Sequence, residues 1–173
     1  LYGSDKPDLR FGCPIHTVDE LVPGCGFGVF EKALESGGTV RCLRAPGLAD
    51  WSRKQVDELE ELVKKKGAFG LARAKVAGEG LETGIAKFLS PAFQAGLRDK
   101  TGCQDGDLVL FVAGDTAMVR EALGALRLEI AARATSPFVV SDGLVLPPGA
   151  TVRAGSNISH AMIPLVILVS LLV

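Results

Sequence analysis

The stretch 107–113, DLVLFVA, decides the fold class. It begins with Asp107 and continues as an apolar run that has the length of a strand. A continuous apolar run predicts a strand in the middle of a sheet. Three further segments also have the pattern of strands, and they end at turn residues. These predicted strands cover 39–45, 71–76 and 85–89. We therefore expect a sheet of about four strands.

The clearest helix is predicted over 52–66. Ser52 and Gln55 have the spacing of a capping box, and Gly67 can adopt the left-handed conformation that ends a helix. Apolar residues recur on one side of this segment and acidic residues on the other, which is typical of a helix packed on a core. We interpret the acidic side as a solvated surface rather than a catalytic carboxylate pair.

A second long helix is predicted over 115–134, with Asp115 as its cap. Its apolar stripe contains Val119, Ala122, Leu123, Leu126 and Ile130. We expect Arg127 to lie outside this stripe, on the exposed side. Shorter helices are predicted over 27–37 and over 91–100, where Pro91 would occupy the first position.

The composition divides the chain into three parts. Residues 1–23 are turn-rich and are expected to be an extended connector, residues 24–134 form the predicted domain, and residues 135–173 are a Pro/Gly-rich and apolar tail. The tail ends in MIPLVILVSLLV, which is shorter than the ~20 residues that a membrane-spanning helix needs. We expect a buried strand or an irregular hydrophobic end there, packed poorly on the domain, and no membrane partner.

The overall composition is that of an ordinary globular protein. Among 173 residues, 47% are hydrophobic and 23% are charged, and the formal net charge is -1. Because there is no basic excess, any contact with RNA must be local. Four cysteines lack the close pairs of a zinc site, so we expect free thiols in a reducing compartment. They are Cys13, Cys25, Cys42 and Cys103.

The opening run 3–12, GSDKPDLRFG, carries a family resemblance. It resembles the segment by which bacterial-type aspartyl-tRNA synthetases, which are class II synthetases, leave their catalytic sheet and enter an inserted domain. Further blocks occur in the order seen in those enzymes. They lie at 52–55, 70–72, 75–76, 86–89, 106–107 and 122–128. Over about residues 1–134 the chain resembles this inserted domain, called GAD, which also occurs in relatives of the tRNA-dependent amidotransferase.

The resemblance implies an α+β fold, a two-layer domain in which a mainly antiparallel sheet of about four strands carries helices on one face. It also implies a fragment of a ligase that joins aspartate to tRNA with ATP and magnesium. Such a parent enzyme is expected to be a homodimer in the bacterial cytoplasm, or in an organellar matrix or stroma in a eukaryote. The alternative is a non-catalytic GAD-type module associated with a tRNA-dependent amidotransferase, and the opening run favours the synthetase.

The catalytic parts of that family are not recognised in this chain. The family binds ATP with an Arg-x-Glu motif on a strand, and no predicted strand carries one. The Gly-rich segment 24–28 follows a proline-rich connector rather than a strand, so we interpret it as a turn and not a phosphate loop. His16 and His160 are interpreted as surface histidines. We therefore expect no catalytic, cofactor-binding or metal-binding residues, and no activity in the fragment alone.

A small group of cations is the candidate tRNA-binding surface. Arg73 and Lys75 share one face of a predicted strand, and Arg41 could join them if the strands pair suitably. Lys87 is the fourth cation of this group. No aromatic residues alternate with them, so base stacking is not indicated at these positions. The competing interpretation is a solvated outer face of the sheet.

Overall fold

A computed structural model describes residues 13–78 and 80–133 of this chain. These residues form one five-stranded sheet with the strand order β1-β2-β5-β3-β4. The strands are β1 (Ile15–Thr17), β2 (Thr39–Ala45), β3 (Ala72–Ala77), β4 (Gly80–Glu82) and β5 (Leu108–Gly114). The helices are α1 (Gly28–Glu35), α2 (Arg53–Lys65), α3 (Pro91–Thr101) and α4 (Thr116–Arg133). Short 3-10 turns occupy Asp19–Leu21 and Ala86–Phe88.

The apolar strand β5 lies at the centre of the sheet, as its sequence predicts. It pairs antiparallel with β2 on one side and with β3 on the other. Side chains alternate across a strand, so consecutive residues of β5 point to opposite faces. Leu110 lies in one hydrophobic core and Phe111 in the other, and both are fully buried.

Helices α2 and α4 cover one face of the sheet. Leu59 and Val63 of α2 and Leu123 and Leu126 of α4 pack there against Leu110 and its neighbours. Both helices begin as their sequences predict. The Ser52 and Gln55 side chains form the capping box of α2, and Asp115 accepts hydrogen bonds from the first N–H groups of α4.

Helices α1 and α3 cover the opposite face. Phe30 of α1 and Phe93 of α3 pack with Phe111 in a second core. The α+β class and the antiparallel sheet are therefore confirmed. The sheet has five strands rather than four, and helices lie on both faces rather than on one. Helices cover both faces because the side chains of β5 are apolar on both faces of the sheet. With helices on one face only, the apolar side chains on the other face would be exposed to water.

Two local predictions were wrong. Ile85–Leu89 contains a 3-10 turn and no strand, and its place in the sheet is taken by β4. Thr83 and Gly84 both have positive φ just before this turn, which ends the extended conformation. The segment 1–23 was expected to be an extended connector with little regular structure, but in its described part, 13–23, β1 pairs with β2, where Ile15 is opposite Leu43.

Arg127 is the third correction. It was expected on the exposed side of α4, yet it is 1% exposed and its Nε donates a hydrogen bond to the Cys13 carbonyl oxygen at 3.1 Å. A buried guanidinium needs such partners, because an unpaired buried charge is costly. The expectations for 1–12 and for the tail 135–173 lie outside the described residues.

Candidate functional site

A cleft of about 840 Å³ lies at one end of the sheet. Helix α1 forms one wall, and the loop 69–71, which follows α2, forms the other. The start of β2 and the end of β5 close the cleft between these walls, through Gly38 and Gly114. We call this concavity the α1 cleft.

The interior of the α1 cleft is aromatic. Phe27 meets Phe30 edge to face with 4.8 Å between ring centroids, and Phe30 lies 5.5 Å from Phe111. Phe30 and Phe111 also belong to the α1/α3 core and are at most 1% exposed. These rings are therefore held by packing on the sheet, which makes the apolar floor of the cleft rigid.

Large apolar side chains also stand at the rim of the α1 cleft. Phe69 is 96% exposed and Val29 is 59% exposed. Phe69 lies in a short loop between two glycines, Gly67 and Gly70. Phe69 and Val29 therefore extend the apolar surface of the cleft outwards to solvent.

Glycines let α1 approach the sheet at the back of the cleft. A Cβ atom at Gly38 would lie 2.5 Å from the Gly114 carbonyl oxygen and 2.8 Å from the Ala33 carbonyl oxygen. Both distances are too short for any side chain. Gly38 therefore fixes the distance between α1 and β5, and with it the width of the cleft.

Three charged residues line the α1 cleft, and the two carboxylates are already engaged. Glu60 lies 2.9 Å from the Lys64 ammonium, and Asp115 accepts hydrogen bonds from the Ala117 and Met118 N–H groups. The hydrogen bond to Glu60 raises the pKa of Lys64. Within the part of the chain that the structure describes, the third charged residue, Lys32, has no ion-pair partner.

The predicted tRNA-binding cations do not gather in the α1 cleft. Arg41, Arg73 and Lys75 share the face of the sheet that α2 and α4 cover, and β5 separates Arg41 from the other two. All three cations are half-buried on this face. Lys87 lies elsewhere, in the 3-10 turn, with its ammonium 4.8 Å from the centre of the Phe88 ring.

Each of these cations has its own surroundings. Arg73 faces Asp57 of α2 at 3.6 Å, and Lys75 lies opposite Glu82 of β4. The Nε atom of Arg41 is buried and makes no hydrogen bond with the part of the chain described here. The structure thus brings the three candidates onto one face but not into one cluster.

The Gly-rich segment 24–28 does not have the surroundings of a phosphate loop. A Cβ atom at Gly26 would lie 2.5 Å from the Phe88 carbonyl oxygen, so this glycine serves close packing of two backbones. The Cys25 carbonyl oxygen accepts a hydrogen bond from the Ser90 N–H group at 2.7 Å. These contacts do not fit the binding of ATP at this segment.

The sequence contains one Arg-x-Glu triplet, Arg127-Leu128-Glu129, and it lies in α4 rather than on a strand. Arg127 is buried, and Glu129 pairs with Arg133 at 2.6 Å. The two side chains therefore do not form a nucleotide clamp, and we assign no ATP-binding step to this domain.

The cysteines and His16 are half-buried or buried. Burial raises the pKa of Cys13 to about 11 and also raises that of Cys42, so both thiols stay protonated and weakly nucleophilic at neutral pH. Within residues 13–78 and 80–133, His, Cys, Asp and Glu side chains do not gather in groups of three that could hold a metal ion. Over the same ranges, no helix is long and apolar enough to cross a membrane.

The sequence analysis did not identify Phe69 or the α1 cleft. The cleft is built from three segments that are distant in the sequence, so no local pattern could predict it. One local signal was available, because a phenylalanine in a two-residue loop between glycines, GAFG at 67–70, has few ways to reach a core.

Comparison with known proteins finds one matching domain family and similar regions in larger proteins. The family model described as GAD domain matches residues 30–123. An aspartate–tRNA ligase of Clostridium acetobutylicum is 48% identical over 130 residues, which cover 75% of this chain and 22% of the relative. An aspartate–tRNA(Asp/Asn) ligase of Moorella thermoacetica is 49% identical over 132 residues, which cover 76% of this chain and 22% of the relative. The chain thus spans about a fifth of the length of these curated relatives.

Proposed function

The chain belongs to the GAD domain family, and from this premise we propose that it is the GAD-containing region of an aspartate–tRNA ligase. The observation that carries the proposal is the 48–49% identity to such ligases over most of the described domain. These relatives are named as ligases, which favours a ligase over a module associated with an amidotransferase. The opening run 3–12 favours it too, because it resembles the catalytic core next to the insertion.

The role that we propose for the domain lies on the tRNA side of the reaction rather than in amino-acid activation. Two observations support this division. The segment 24–28 packs against Phe88 instead of forming a phosphate loop, and the Arg-x-Glu triplet is held in α4 by other contacts. ATP, magnesium and aspartate would then bind elsewhere in the ligase, whose homodimeric state and cytoplasmic location are part of the same proposal.

A domain replacement tests this proposal. In the Clostridium acetobutylicum ligase, the matching region is replaced either by residues 13–133 of this chain or by a short flexible linker. Two activities are measured on each protein: ATP–pyrophosphate exchange without tRNA, and aspartylation of tRNA. We expect the replacement with residues 13–133 to retain both activities. We expect the linker variant to lose aspartylation more strongly than exchange.

Two results would contradict the proposal. One is a domain replacement that aspartylates tRNA no better than the linker variant while its exchange activity is normal. The other is aspartate-dependent ATP–pyrophosphate exchange by the 173-residue chain alone, because it would place amino-acid activation in this chain. The complete relative serves as the positive control in the second assay.

A further inference from the structure

We propose that the α1 cleft binds single-stranded RNA by stacking a base on Phe69, with the adjoining phosphate next to Lys32. This inference rests on the proposed function and adds the part of the RNA that the domain would contact. It assigns RNA contact to a surface different from that of Arg41, Arg73 and Lys75.

The position of the α1 cleft is the first argument. Asp115 lines the cleft, and α4 starts directly after it. The helix then runs for 18 residues, or about 27 Å, to Arg133. Cys13 lies beside the C-terminal half of α4, where Arg127 donates to its carbonyl oxygen. The first and last described residues are thus at the end of the domain opposite the cleft. The α1 cleft therefore lies away from both points at which the described domain joins the rest of the chain.

The chemistry of the rim is the second argument. Proteins that bind single-stranded nucleic acid place exposed aromatic rings where bases can stack, next to positive charges that follow the backbone. Phe69 offers such a ring at 96% exposure, and the half-buried Phe27 on the floor of the cleft can receive the edge of a stacked base. A volume of about 840 Å³ is large enough for a nucleotide.

Charge is the third argument. The two carboxylates in the cleft are neutralised by Lys64 or engaged with the start of α4, as described above. Lys32 on the α1 wall is left to meet a phosphate. Lys64, near the opposite wall, stays paired with Glu60 and Glu61. An apolar protein segment would use the rings but would leave Lys32 without a partner.

The experiment measures the affinity of the full 173-residue chain for a fluorescein-labelled eight-nucleotide single-stranded RNA by fluorescence anisotropy. We expect Phe69→Ala to weaken binding about tenfold, which corresponds to the loss of one stacked base. Phe69→Trp should retain the affinity. Leu128→Ala is the matched control, because Leu128 is also an exposed large apolar residue, at 51%, but lies on α4 away from the cleft. Its affinity should equal that of the unmodified chain.

A second variant tests the phosphate contact. Lys32→Glu should weaken binding and lower the slope of log affinity against log salt concentration by about 1. Phe69 and Lys32 are both at the surface, so loss of folding does not explain a loss of binding. Circular dichroism of each variant verifies this.

The outcomes separate the inference from the proposed function. If Phe69→Ala binds the RNA as well as the unmodified chain, or if the unmodified chain does not bind, the inference is wrong. It is also wrong if the chain self-associates through the cleft, seen as dimers in sedimentation that Phe69→Ala abolishes. In each of these cases the domain replacement in the ligase still decides the proposed function, because it does not depend on Phe69.

Discussion

Asp107 accepts hydrogen bonds from three different residues. It lies just before β5 and is 3% exposed. Its Oδ2 accepts hydrogen bonds from the Arg44 Nε at 2.6 Å and the Gln104 N–H at 2.8 Å, and its Oδ1 accepts one from the Gly47 N–H at 3.0 Å. One side chain thus fixes two loops and an arginine at the end of the sheet opposite the α1 cleft.

We predict that Asp107→Ala lowers the free energy of unfolding by about 3 kcal/mol, because it leaves two N–H groups and a guanidinium without their acceptor. Urea denaturation followed by circular dichroism measures this. Asp105→Ala is the matched control in the same loop, since the exposed Asp105 accepts a single hydrogen bond, from the Gly78 N–H. It should cost less than about 1 kcal/mol. Equal losses in the two variants would contradict the assigned role of Asp107.

His16 of β1 gives a prediction for pH dependence. Burial lowers its pKa, and the nearby positive charges of Lys100 and Arg44 lower it further. Their partners Glu20 and Asp107 also face this region. As the pH falls below the unfolded value of about 6.5, the unfolded chain takes up a proton at His16 before the folded chain does. Acidification therefore destabilises the fold. The stability that His16 contributes is fully lost once the pH is below the lowered pKa of the folded state.

The measurement compares the free energy of unfolding of the unmodified chain and of His16→Gln at pH 7.5 and pH 5.5. The unmodified chain should lose more stability on acidification than the variant. An NMR titration of the imidazole signals gives the pKa directly, and the signal missing in His16→Gln identifies His16. A pKa at or above 6.5 would show that the neighbouring cations and the burial do not act as described.

At the scale of elements, α2 depends on its first turn. The Gln55 N–H donates to Ser52 Oγ at 3.3 Å, and the Ser52 N–H donates to Gln55 Oε1 at 2.9 Å. We predict that Ser52→Ala lowers the free energy of unfolding by about 1 kcal/mol. The substitution removes the hydroxyl acceptor of the Gln55 N–H group and breaks up the capping box. Lys54→Ala, at an exposed position of the same turn, should have little effect in the same urea titration. A larger loss for Lys54→Ala than for Ser52→Ala would contradict this role.

The elements that sequence predicts well are those with local signals. The capping box and apolar stripe of α2 and the proline at the start of α3 act within a few residues, so they can be recognised without knowledge of the fold. Ile85–Leu89 has apolar residues but no local signal that separates a strand from a turn. Its conformation depends on a hydrogen bond from the Ile85 N–H to the distant Arg73 carbonyl oxygen at 3.0 Å.

The same reasoning applies to single side chains. The helical period places Arg127 next to the apolar stripe of α4, and its burial depends on the Cys13 carbonyl oxygen, which is 114 positions away in the chain. Likewise, the strand pattern put Arg41, Arg73 and Lys75 on one face, but it could not show that α2 and α4 cover that face. The candidate site was missed for this reason, since its walls come from three separate segments.

At the scale of the whole molecule, one sheet joins two hydrophobic cores. Leu110 packs under α2 and α4, while the next residue, Phe111, packs under α1 and α3. Both cores therefore include side chains of the same strand, whose backbone is hydrogen-bonded to β2 and β3. Neither layer of helices can lose its packing without exposing one face of this strand, so we expect the two layers to unfold together.

Trp51 makes this expectation measurable. It is the only tryptophan of the chain, and it packs against the α2/α4 core. We predict that Phe111→Leu and Leu110→Val each lower the free energy of unfolding by about 1 kcal/mol, a loss mild enough to keep the domain folded. Phe111→Leu alters only the opposite core, yet it should shift the urea midpoint of Trp51 fluorescence as far as that of circular dichroism. If Phe111→Leu moved the circular dichroism transition and left the Trp51 transition in place, the two layers would be separate folding units.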